Sequence, residues 1–546
     1  MNAAAPDVTV VIPVYNTMPY LTECLDSLIG QTIGRDRLEI VAVDDGSTDD
    51  SGKELDRFAE RYPDTVKVIH QPNSGGPAAP CNAGLEAATG RYVYFIGSDD
   101  YLGEDALKRM VEYADTHGSD VVIGKMVGTN GRYVHQALYK EPQADISLYD
   151  SALPFTLANT KLFRRELVEN HKLRFPEDLP VGSDQPFTIE ACVRAAKISV
   201  LADYTYYYAV KRGDASNITY RADHLARLAC TAKIMHHTAG LIEPGEERDA
   251  VLRRHFTWEL AKLVQKDFPG LDAELQRRLC AGIGELADAY LTPGILERMP
   301  VKERARVTLA RHGLIDELAE AITEESREGS PVFFADGDRA YARYPGFRDG
   351  RPGLGDEVFA LSEAVPGRLA KRTRLLAAGW EQRGEELAAT FRVSVPVVGD
   401  TGSAVLALAG KPMPGSADKP GARRLPDRTE IPQVTGEFVR TELPDRSGTV
   451  VEARIPLQAR SAKPGVRLYL ELGGKIYEIP LQVRDLPLPS ARRWRDTDPY
   501  RAAMHCNAKG RLVVDTGPLN PPSLSPVAEL RHYARRLLRR NSPKRK

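Results

Sequence analysis

Five short apolar runs, separated by amphipathic stretches, constrain the fold of this chain most strongly. The runs cover residues 8–14, 38–43, 66–69, 92–96 and 121–123, and the stretches between them include 19–29 and 105–115. Strands that are apolar throughout and alternate with helices are typical of a parallel sheet with helices on both faces. We therefore predict an α/β domain over residues 1–220.

The chain of 546 residues is longer than one hydrophobic core supports, which is roughly 250–300 residues. Apolar residues at helical spacing predict a helical connector over 221–330. Beyond it, strict alternation in 391–395, 451–457 and 466–472 predicts antiparallel strands, so we expect one or two β-sandwich-like accessory modules over 331–490. Residues 411–428, rich in Pro, Gly and charge, predict a long loop or a linker between them.

The final segment, 491–546, ends in a basic tail. Residues 531–546 contain eight Lys or Arg and no Asp or Glu. Residues 527–538 place apolar side chains on one helical face with arginines opposite, which favours a helix lying on an anionic membrane surface. No apolar run approaches the ~20 residues of a membrane span and no leader is evident, so we expect a cytoplasmic protein that binds peripherally to the inner face of the plasma membrane.

Several function classes are disfavoured by missing motifs. The six cysteines form no CxxC pair, which argues against a structural zinc site or a disulfide framework. The first strand-to-helix turn has no GxGxxG, so a dinucleotide-binding dehydrogenase is disfavoured, and no GxxxxGK[ST] phosphate loop is present. We expect no nucleic-acid partner.

Three acidic segments indicate where a site lies. VDDGSTDDS (43–51) and GSDDYL (97–102) directly follow apolar strands, and VGSDQPF (181–187) follows a proline-bounded stretch. In an open parallel sheet, ligands bind at the carboxyl ends of the strands. We expect these segments to converge there around a nucleotide diphosphate, a divalent cation and a proton acceptor.

The first two turns offer groups for a nucleoside. Pro13 is expected to end the first strand, and Tyr15 can present its ring to a flat heterocycle, although an ordinary strand-to-helix turn capped by Asn16 or Thr17 is the alternative. Asp44 or Asp45 can accept a hydrogen bond from a uracil-type N–H. Capping and surface solvation account for the later carboxylates of this turn.

The next two loops offer groups for the diphosphate and the cation. In NSGGPAAPCNAG (73–84), Asn73 and Gly76 belong to a loop that a ligand can approach closely, and Asn82 can bind a ligand or cap the following helix; a plain loop is the alternative. In GSDDYL, Ser98 lies beside Asp99, our candidate ligand for Mn²⁺ or Mg²⁺. The next residue, Asp100, can instead cap a helix.

The third segment supplies the proton acceptor. Transfer of a sugar with inversion is a displacement at the anomeric carbon of that sugar. It needs a carboxylate near the attacking hydroxyl, and Asp184 is the candidate. The alternative is that Ser183 or Asp184 merely caps a helix. Further along, Lys211 and Arg212 follow an aromatic strand, where a cation can stabilise a departing diphosphate; a basic surface loop is the competing interpretation.

VVIPVYN, VDDGSTDDS, NSGGPAAPCNAG, FIGSDDYL and VGSDQPF, in this order and spacing, resemble glycosyltransferase family 2. The resemblance implies the GT-A fold and inverting transfer from a nucleotide sugar. It assigns the base and ribose to Pro13, Tyr15 and Asp44 or Asp45, the metal and diphosphate to Asp99, and the general base to Asp184. Within the family, GGPAAP, the FPEDLPVGSDQPF loop and the domain order resemble transferases that glycosylate wall teichoic acid poly(ribitol phosphate) and form trimers through β modules.

Three positions depart from the family pattern. Gly97 stands where a carboxylate usually precedes the metal ligand, which should weaken metal capture. Cys81 stands where Arg commonly precedes Asn82, and Ser183 stands where Glu often precedes the base. These departures keep a second interpretation open, a carbohydrate- or polymer-binding scaffold that retained the fold and lost catalysis.

The sequence thus predicts an inverting transferase that moves N-acetylglucosamine or another hexose from a UDP-sugar to a hydroxyl of a cell-envelope polymer, such as teichoic acid or a surface polysaccharide. The expected partners are this donor, a polyanionic or polysaccharide acceptor, further copies of the chain in a trimer, and an anionic membrane. A nucleotidyltransferase ranks third, because PVYNTMPYL lacks the Gly-rich, basic phosphate loop of that class.

Overall fold

The chain divides into two compact units, residues 1–326 and 327–546, in a computed structural model. The structure describes residues 5–212, 223–331, 333–336, 339–362, 368–369, 372–384, 386–395, 405–409, 423–425, 436–442, 448–457, 464–472, 475–481, 483, 486–493, 500–507 and 511–518.

The first unit is built on a seven-stranded sheet of order β3-β2-β1-β4-β8-β6-β9. Its strands are β1 (Val8–Val14), β2 (Leu38–Asp44), β3 (Val66–His70), β4 (Tyr92–Phe95), β6 (Val121–Gly124), β8 (Leu162–Arg164) and β9 (Ile198–Leu201). All pairs are parallel except those of β8, which runs antiparallel to both β4 and β6. The predicted α/β domain is confirmed, with one strand that departs from the parallel pattern.

Apolar side chains on both faces of the sheet explain why these strands read as continuous Val/Ile runs. Alternate residues of β1 enter two different cores: Val11 packs with Val93 and Phe95 in one, and Val10 and Ile12 pack in the other. The covering helices are α1 (Tyr20–Ile29), α2 (Ser51–Arg61), α3 (Ala78–Glu86), α4 (Ala106–His117), α5 (Arg165–Asn170) and α6 (Asp184–Arg194). Burial on both sides fixes the sheet between two helical layers.

A small second sheet lies beside the carboxyl end of β4. It has the order β5-β10-β7, formed by β5 (Tyr101–Leu102), β7 (Met126–Thr129) and β10 (Tyr207–Val210). β10 pairs antiparallel with β5, which directly follows the second acidic turn. The pairing brings the end of the aromatic strand next to that turn.

A helical region completes the first unit. Its helices are α7 (His224–Leu241), α8 (Glu246–Arg254), α9 (Ala273–Tyr290), α10 (Pro293–Arg298), α11 (Val301–Arg311) and α12 (Ile315–Glu328). A π-helical turn, His255–Glu259, directly follows α8. Such turns are rare and often mark functional positions.

The second unit is mainly antiparallel β-sheet. A hairpin of β11 (Phe333–Asp336) and β12 (Arg339–Ala342) precedes α13 (Asp356–Phe359). A four-stranded sheet follows, of order β13-β14-β18-β17, formed by Arg374–Arg383, Glu386–Val395, Thr449–Pro456 and Glu437–Glu442. The last sheet, β16-β20-β19-β23-β22-β21 with β15 paired to β19, is formed in that order by Arg423–Leu425, Lys475–Pro480, Gly465–Leu472, Leu512–Pro518, Tyr500–Cys506, Ser490–Arg493 and Val405–Ala409.

Period-two alternation explains the core of this unit. The residues that alternate in β14, β18 and β19 are buried together, among them Val393, Val451 and Leu468. The predicted linker 411–428 lies outside the described residues except for β16, and the basic tail and its helix, 527–546, lie wholly outside them.

All six cysteines lie in the described residues and form no disulfide, and Cys506 alone among them is exposed. None of the described helices combines the length and the apolar character needed to cross a bilayer.

Candidate functional site

The site forms at the carboxyl edge of the sheet, where β1 to β4 all end. The turns after these strands are joined to one another by hydrogen bonds between residues far apart in the chain. Asn16, after β1, accepts from the Thr48 N–H after β2 at 2.7 Å, and the Thr17 hydroxyl donates to Ser98 after β4 at 3.0 Å. The turns therefore form one continuous rim.

The first turn presents an exposed aromatic ring. Tyr15 is 38% exposed directly after β1. Pro13 was expected to end β1, but the strand continues to Val14. Pairing with β4 stops at Val11, so the missing N–H of Pro13 leaves no partner unsatisfied. The following helix begins at Tyr20 after Pro19, so neither Asn16 nor Thr17 caps it.

Asp44 holds the second turn in shape. Its Oδ1 accepts from the Ser47 N–H at 3.0 Å, and its Oδ2 lies 3.0 Å from His70 Nδ1. Burial alone would raise the pKa of Asp44, but the hydrogen bonds from Ser47 and His70 outweigh it, and the pKa lies below its ordinary value. Asp44 is therefore an ionised group already engaged within the protein.

Asp45 joins the second turn to the glycine loop after β3. It is 3% exposed and accepts from Gln71 Nε2 at 2.6 Å, from the Ser74 hydroxyl at 2.9 Å and from the Ser74 N–H at 3.1 Å. The Ser74 N–H lies 3.1 Å from each of the two carboxylate oxygens, so both oxygens of Asp45 are engaged within the protein. Asn73 reinforces the link by donating to the Asp45 carbonyl at 3.0 Å.

The glycine loop lies against the segment that leads to the predicted base. A Cβ on Gly76 would come 3.7 Å from the backbone of Pro180. Asn82 lies inside α3, so it does not cap that helix, and ligand binding by Asn82 stays a prediction. Its side-chain amide donates to the Phe175 carbonyl and accepts from the Phe175 N–H, both at 2.9 Å. It also donates to Glu177 at 2.9 Å. Its contacts are internal, and Asn82 anchors the loop before Asp184.

Asp99, the predicted metal ligand, is paired with a cation. Arg212 Nε donates to Asp99 Oδ2 at 2.7 Å, and the two side chains are only 13% and 15% exposed. Ser98, beside it, is buried and accepts from Thr17. The structure therefore brings together Asp99 and Arg212, which lie 113 residues apart.

Asp100 locks the acidic turn to β10. It accepts from the Tyr207 hydroxyl at 2.5 Å, from the Val210 N–H at 2.7 Å and from Arg132 Nη1 at 3.4 Å. Burial first, and then the charge of Asp99, raise the pKa of Asp100 to about 6. It does not cap the next helix, whose N-cap position is occupied by Asp105.

Asp184 is the first residue of α6. Ser183 occupies the N-cap position and makes no side-chain hydrogen bond to the helix, so Ser183 is not a side-chain cap. Burial raises the pKa of Asp184 above its ordinary value, whereas the charges of Arg254 and Lys161 oppose the rise. A carboxylate of raised pKa is a stronger base, as a proton acceptor requires.

The cations around Asp184 come from other parts of the first unit. Lys161, the residue directly before β8, is 1% exposed and donates to the Thr156 carbonyl at 2.7 Å. Arg254 ends α8, is 8% exposed and lies 3.1 Å from Glu259 on the π-helical turn. The helical region thus contributes buried charge to the surroundings of the predicted base.

Sequence reasoning missed Tyr207, Arg132, Lys161, Arg254 and Glu259. The aromatic run around Tyr207 predicted a strand, but which tyrosine turns inward depends on the pairing of β10. The others act across long separations in the chain, and no local spacing marks them.

A divalent cation fits this site only as a weakly held ion. Among the described residues, no group of three or more His, Cys, Asp or Glu side chains could hold a metal. Asp99 can offer one carboxylate, which suits Mg²⁺ or Mn²⁺ when diphosphate oxygens and water supply the other ligands. The residues present are compatible with that arrangement.

Two family models match the chain. Residues 9–175 match "Glycosyl transferase family 2", and residues 229–322 match "Glycosyl transferase TarS linker domain".

Curated relatives match the first part of the chain. A Poly(ribitol-phosphate) beta-glucosyltransferase of Bacillus spizizenii is 43% identical over 39% of this chain and 34% of its own length. Poly(ribitol-phosphate) beta-N-acetylglucosaminyltransferase TarS of Staphylococcus aureus is 40% identical over 37% of this chain and 35% of its own length. The match thus spans about a third of each of these relatives.

Solved structures extend the likeness. Residues 1–349 of S. aureus TarS in complex with UDP-GlcNAc align with a TM-score of 0.55 at 30% identity, over 63% of this chain and 98% of that one. A further crystal structure of S. aureus TarS aligns over 93% of this chain and 85% of its own, with a TM-score of 0.54 at 22% identity, which shows a shared fold that includes the β-rich part. The expected GT-A fold with C-terminal β modules is confirmed, and the chain belongs to glycosyl transferase family 2.

Proposed function

We propose that this protein is an inverting glycosyltransferase that moves N-acetylglucosamine or another hexose from a UDP-sugar to a hydroxyl of a cell-envelope polymer. The observation that carries the proposal is the continuous rim at the carboxyl edge, which joins the turns containing Asp45 and Asp99 to the loop before Asp184. The names of the relatives, which act on poly(ribitol phosphate), and the UDP-GlcNAc complex of TarS support the donor and acceptor classes.

The nucleoside part of the donor is proposed to bind on the first two turns. Tyr15 is exposed and offers a ring for the uracil base, beside Pro13. Asp44 accepts hydrogen bonds from Ser47 and His70, and Asp45 accepts them from Gln71 and Ser74. Both carboxylates lie on this turn, so Asp44 or Asp45 is the proposed acceptor for the uracil N–H.

The diphosphate is proposed to lie between the glycine loop and the acidic turn. Asn73 and Gly76 line one side, and Ser98, Asp99 and Arg212 line the other. A guanidinium recognises phosphate oxygens with two parallel hydrogen bonds and can balance the charge that develops on the leaving group. A divalent cation at Asp99 would supply further charge neutralisation there when bound.

Asp184 is proposed to take the proton of the acceptor hydroxyl as the bond to the diphosphate breaks. Ionised Asp184 accepts a hydrogen bond from the hydroxyl, which raises the nucleophilicity of the oxygen. The oxygen then forms its new bond on the face of the sugar opposite the leaving group, and the configuration inverts. Asn82 acts indirectly, because it anchors the loop that positions this carboxylate.

The test is Asp184→Asn, which keeps the size of the side chain and removes its basicity. We expect transfer to fall by at least about 100-fold, the size of a general-base contribution, with UDP affinity unchanged. Transfer from labelled UDP-sugars to polymer and calorimetry with UDP measure the two quantities. Unchanged turnover in this variant would contradict the proposal.

A second candidate is a carbohydrate- or polymer-binding scaffold with little catalytic activity. It is favoured by Gly97 in place of a carboxylate and by the pairing of Asp99 with Arg212. A panel of nucleotide sugars separates the two candidates, because a scaffold would bind the polymer without releasing UDP from any donor.

The remaining parts of the proposal concern partners. A polyanionic acceptor such as teichoic acid and a cytoplasmic location with the basic tail on the inner membrane face are supported by the charge of that tail. A trimer formed through the C-terminal β modules is proposed from the resemblance in domain order alone. The boundaries at about 220, 330 and 490 are proposed as those of the catalytic, connecting, β-rich and terminal parts.

A further inference from the structure

The position of Arg212 is fixed by the strand that precedes it. Val210, two residues earlier, donates its N–H to Asp100 at 2.7 Å, and Tyr207 on the same strand donates to the same carboxylate. Arg212 itself bonds Asp99 at 2.7 Å and stands over the ring of Tyr20 at 5.9 Å. A cation is therefore built into the acidic turn by the fold.

Gly97 lies where a third carboxylate would complete the turn. A Cβ on Gly97 would come 3.1 Å from Asp99 Oδ1 and 3.1 Å from Asp100 Oδ2. A side chain at this position would thus project between the two acids. With glycine there, the turn offers a cation no second free carboxylate, because Asp100 already accepts three hydrogen bonds from Tyr207, Val210 and Arg132.

We infer that Arg212 is the principal counter-charge for the donor diphosphate, and that Gly97 makes the divalent cation a secondary one. A guanidinium is always charged and matches phosphate geometry, so it can hold a diphosphate without a metal. A cation held by one carboxylate binds weakly until phosphate oxygens join it. UDP binding should therefore depend only slightly on Mn²⁺. This inference rests on the proposed function.

The experiment is calorimetric titration of the full chain with UDP, in EDTA and in saturating Mn²⁺. Wild type should bind UDP in EDTA and gain less than about fivefold in affinity with Mn²⁺. The UDP affinity of Arg212→Met in EDTA should be at least about fivefold lower than that of wild type, because the fixed counter-charge is gone.

Gly97→Asp tests the other half of the inference, with Gly97→Asn as the control of equal size and no charge. The gain in UDP affinity on adding Mn²⁺ should be at least about fivefold larger in Gly97→Asp than in Gly97→Asn, because the new carboxylate lies beside Asp99 and Asp100. Circular dichroism checks that both variants fold. If they do not, wild type and Arg212→Met still decide.

The inference is overturned if Mn²⁺ raises the UDP affinity of wild type by about fivefold or more, or if Arg212→Met binds UDP in EDTA nearly as tightly as wild type does. It is also overturned if the gain in UDP affinity on adding Mn²⁺ is less than about fivefold larger in Gly97→Asp than in Gly97→Asn. Absence of UDP binding by wild type in both conditions would instead refute the proposed function. Binding, rather than turnover, is measured throughout, so loss of catalysis cannot imitate either result.

Discussion

Asp184 combines burial with nearby compensating charge. Burial raises the pKa of its carboxyl, and Arg254 and Lys161 limit the rise, while Glu259 adds to it. The buried thiols Cys81 and Cys192 lie in the same charged surroundings, Cys81 through Asp184 and Cys192 through Lys161. The raised pKa makes the carboxylate of Asp184 more basic, as the proposed proton transfer requires.

The acid limb of the pH profile should report this balance. An acid whose pKa is raised becomes ionised only at higher pH, so transfer should fall as pH decreases through that raised pKa. Arg254→Met should move the limb to higher pH, because removing a cation disfavours the carboxylate of Asp184 and takes from Glu259 one of its cationic partners, while Lys262 remains. The measurement is kcat/KM against pH.

Arg253→Met is the matched control for this prediction. Arg253 is adjacent, but its guanidinium stands over the Phe155 ring at 5.4 Å. The Arg253→Met variant should therefore leave the acid limb of the pH profile unchanged. Equal shifts in the two variants would mean that general disturbance of the helix end, and not charge at Asp184, moves the limb.

The sequence predicted which types of residue would be at the site better than it predicted their contacts. Asp45, Asp99 and Asp184 follow strands or begin a helix, as expected from the motifs. That Asp99 pairs with Arg212, or that Asn82 bonds the Phe175 backbone, depends on tertiary contacts that no local pattern encodes.

Helix α3 packs tightly against strand β1 of the first unit. Gly84, buried in α3, faces β1, and a Cβ there would come 2.4 Å from Val11 Cγ1. Helix α3 also contains Asn82, which anchors the loop before Asp184. Close packing of this helix therefore determines both the stability of the sheet and the position of the loop.

Two helical glycines should respond oppositely to alanine. Gly84→Ala should destabilise the protein by about 1–3 kcal/mol, the usual cost of overpacking a core. Gly240→Ala, exposed in α7 with no atom within 4 Å of the new Cβ, should be neutral or stabilising by up to about 1 kcal/mol. Urea unfolding measures both, and a stabilised Gly84→Ala would refute the close packing described here.

Asn82→Ala should affect stability and catalysis together. It leaves the N–H and carbonyl of Phe175 without their partner, at a cost of about 1–3 kcal/mol. We also expect kcat to fall while UDP affinity changes little, because the loop positions Asp184 and not the nucleotide. Normal kcat in a destabilised variant would show that the loop keeps its place without this amide.

Element types were predictable where periodicity was strong. The strands β1, β2, β3, β4 and β6 coincide with the apolar runs, and β14, β18 and β19 with the alternating ones. β8 was missed because it has three residues and no periodicity to detect. Its antiparallel direction also departs from the predicted parallel sheet.

The whole molecule contains separate hydrophobic cores in its two units. The sheet of the first unit lies between two clusters, and the strands of the second unit share another. Each unit can therefore lose its structure over its own temperature range.

Calorimetry should show two thermal transitions, of which UDP raises only one. A ligand stabilises the unit that binds it by mass action, and the proposed site lies wholly within residues 1–326. UDP at 100 times its Kd should add about 2.7 kcal/mol to that unit. An equal shift of both transitions would show that they are thermodynamically coupled.

Removal of residues 531–546 should weaken sedimentation with vesicles that contain anionic lipid. The eight basic residues of this segment each contribute about 1 kcal/mol of attraction near such a surface, and the attraction should decline with salt. Neutral vesicles serve as the control. Equal sedimentation with and without the segment would assign membrane binding to another part of the chain.

The single exposed thiol provides a native attachment point for a reporter. Maleimide reagents attack accessible thiolates, and five of the six cysteines are buried. A fluorophore should thus enter at Cys506 alone under gentle conditions. Self-association or polymer capture could then be followed by anisotropy in the otherwise unaltered protein.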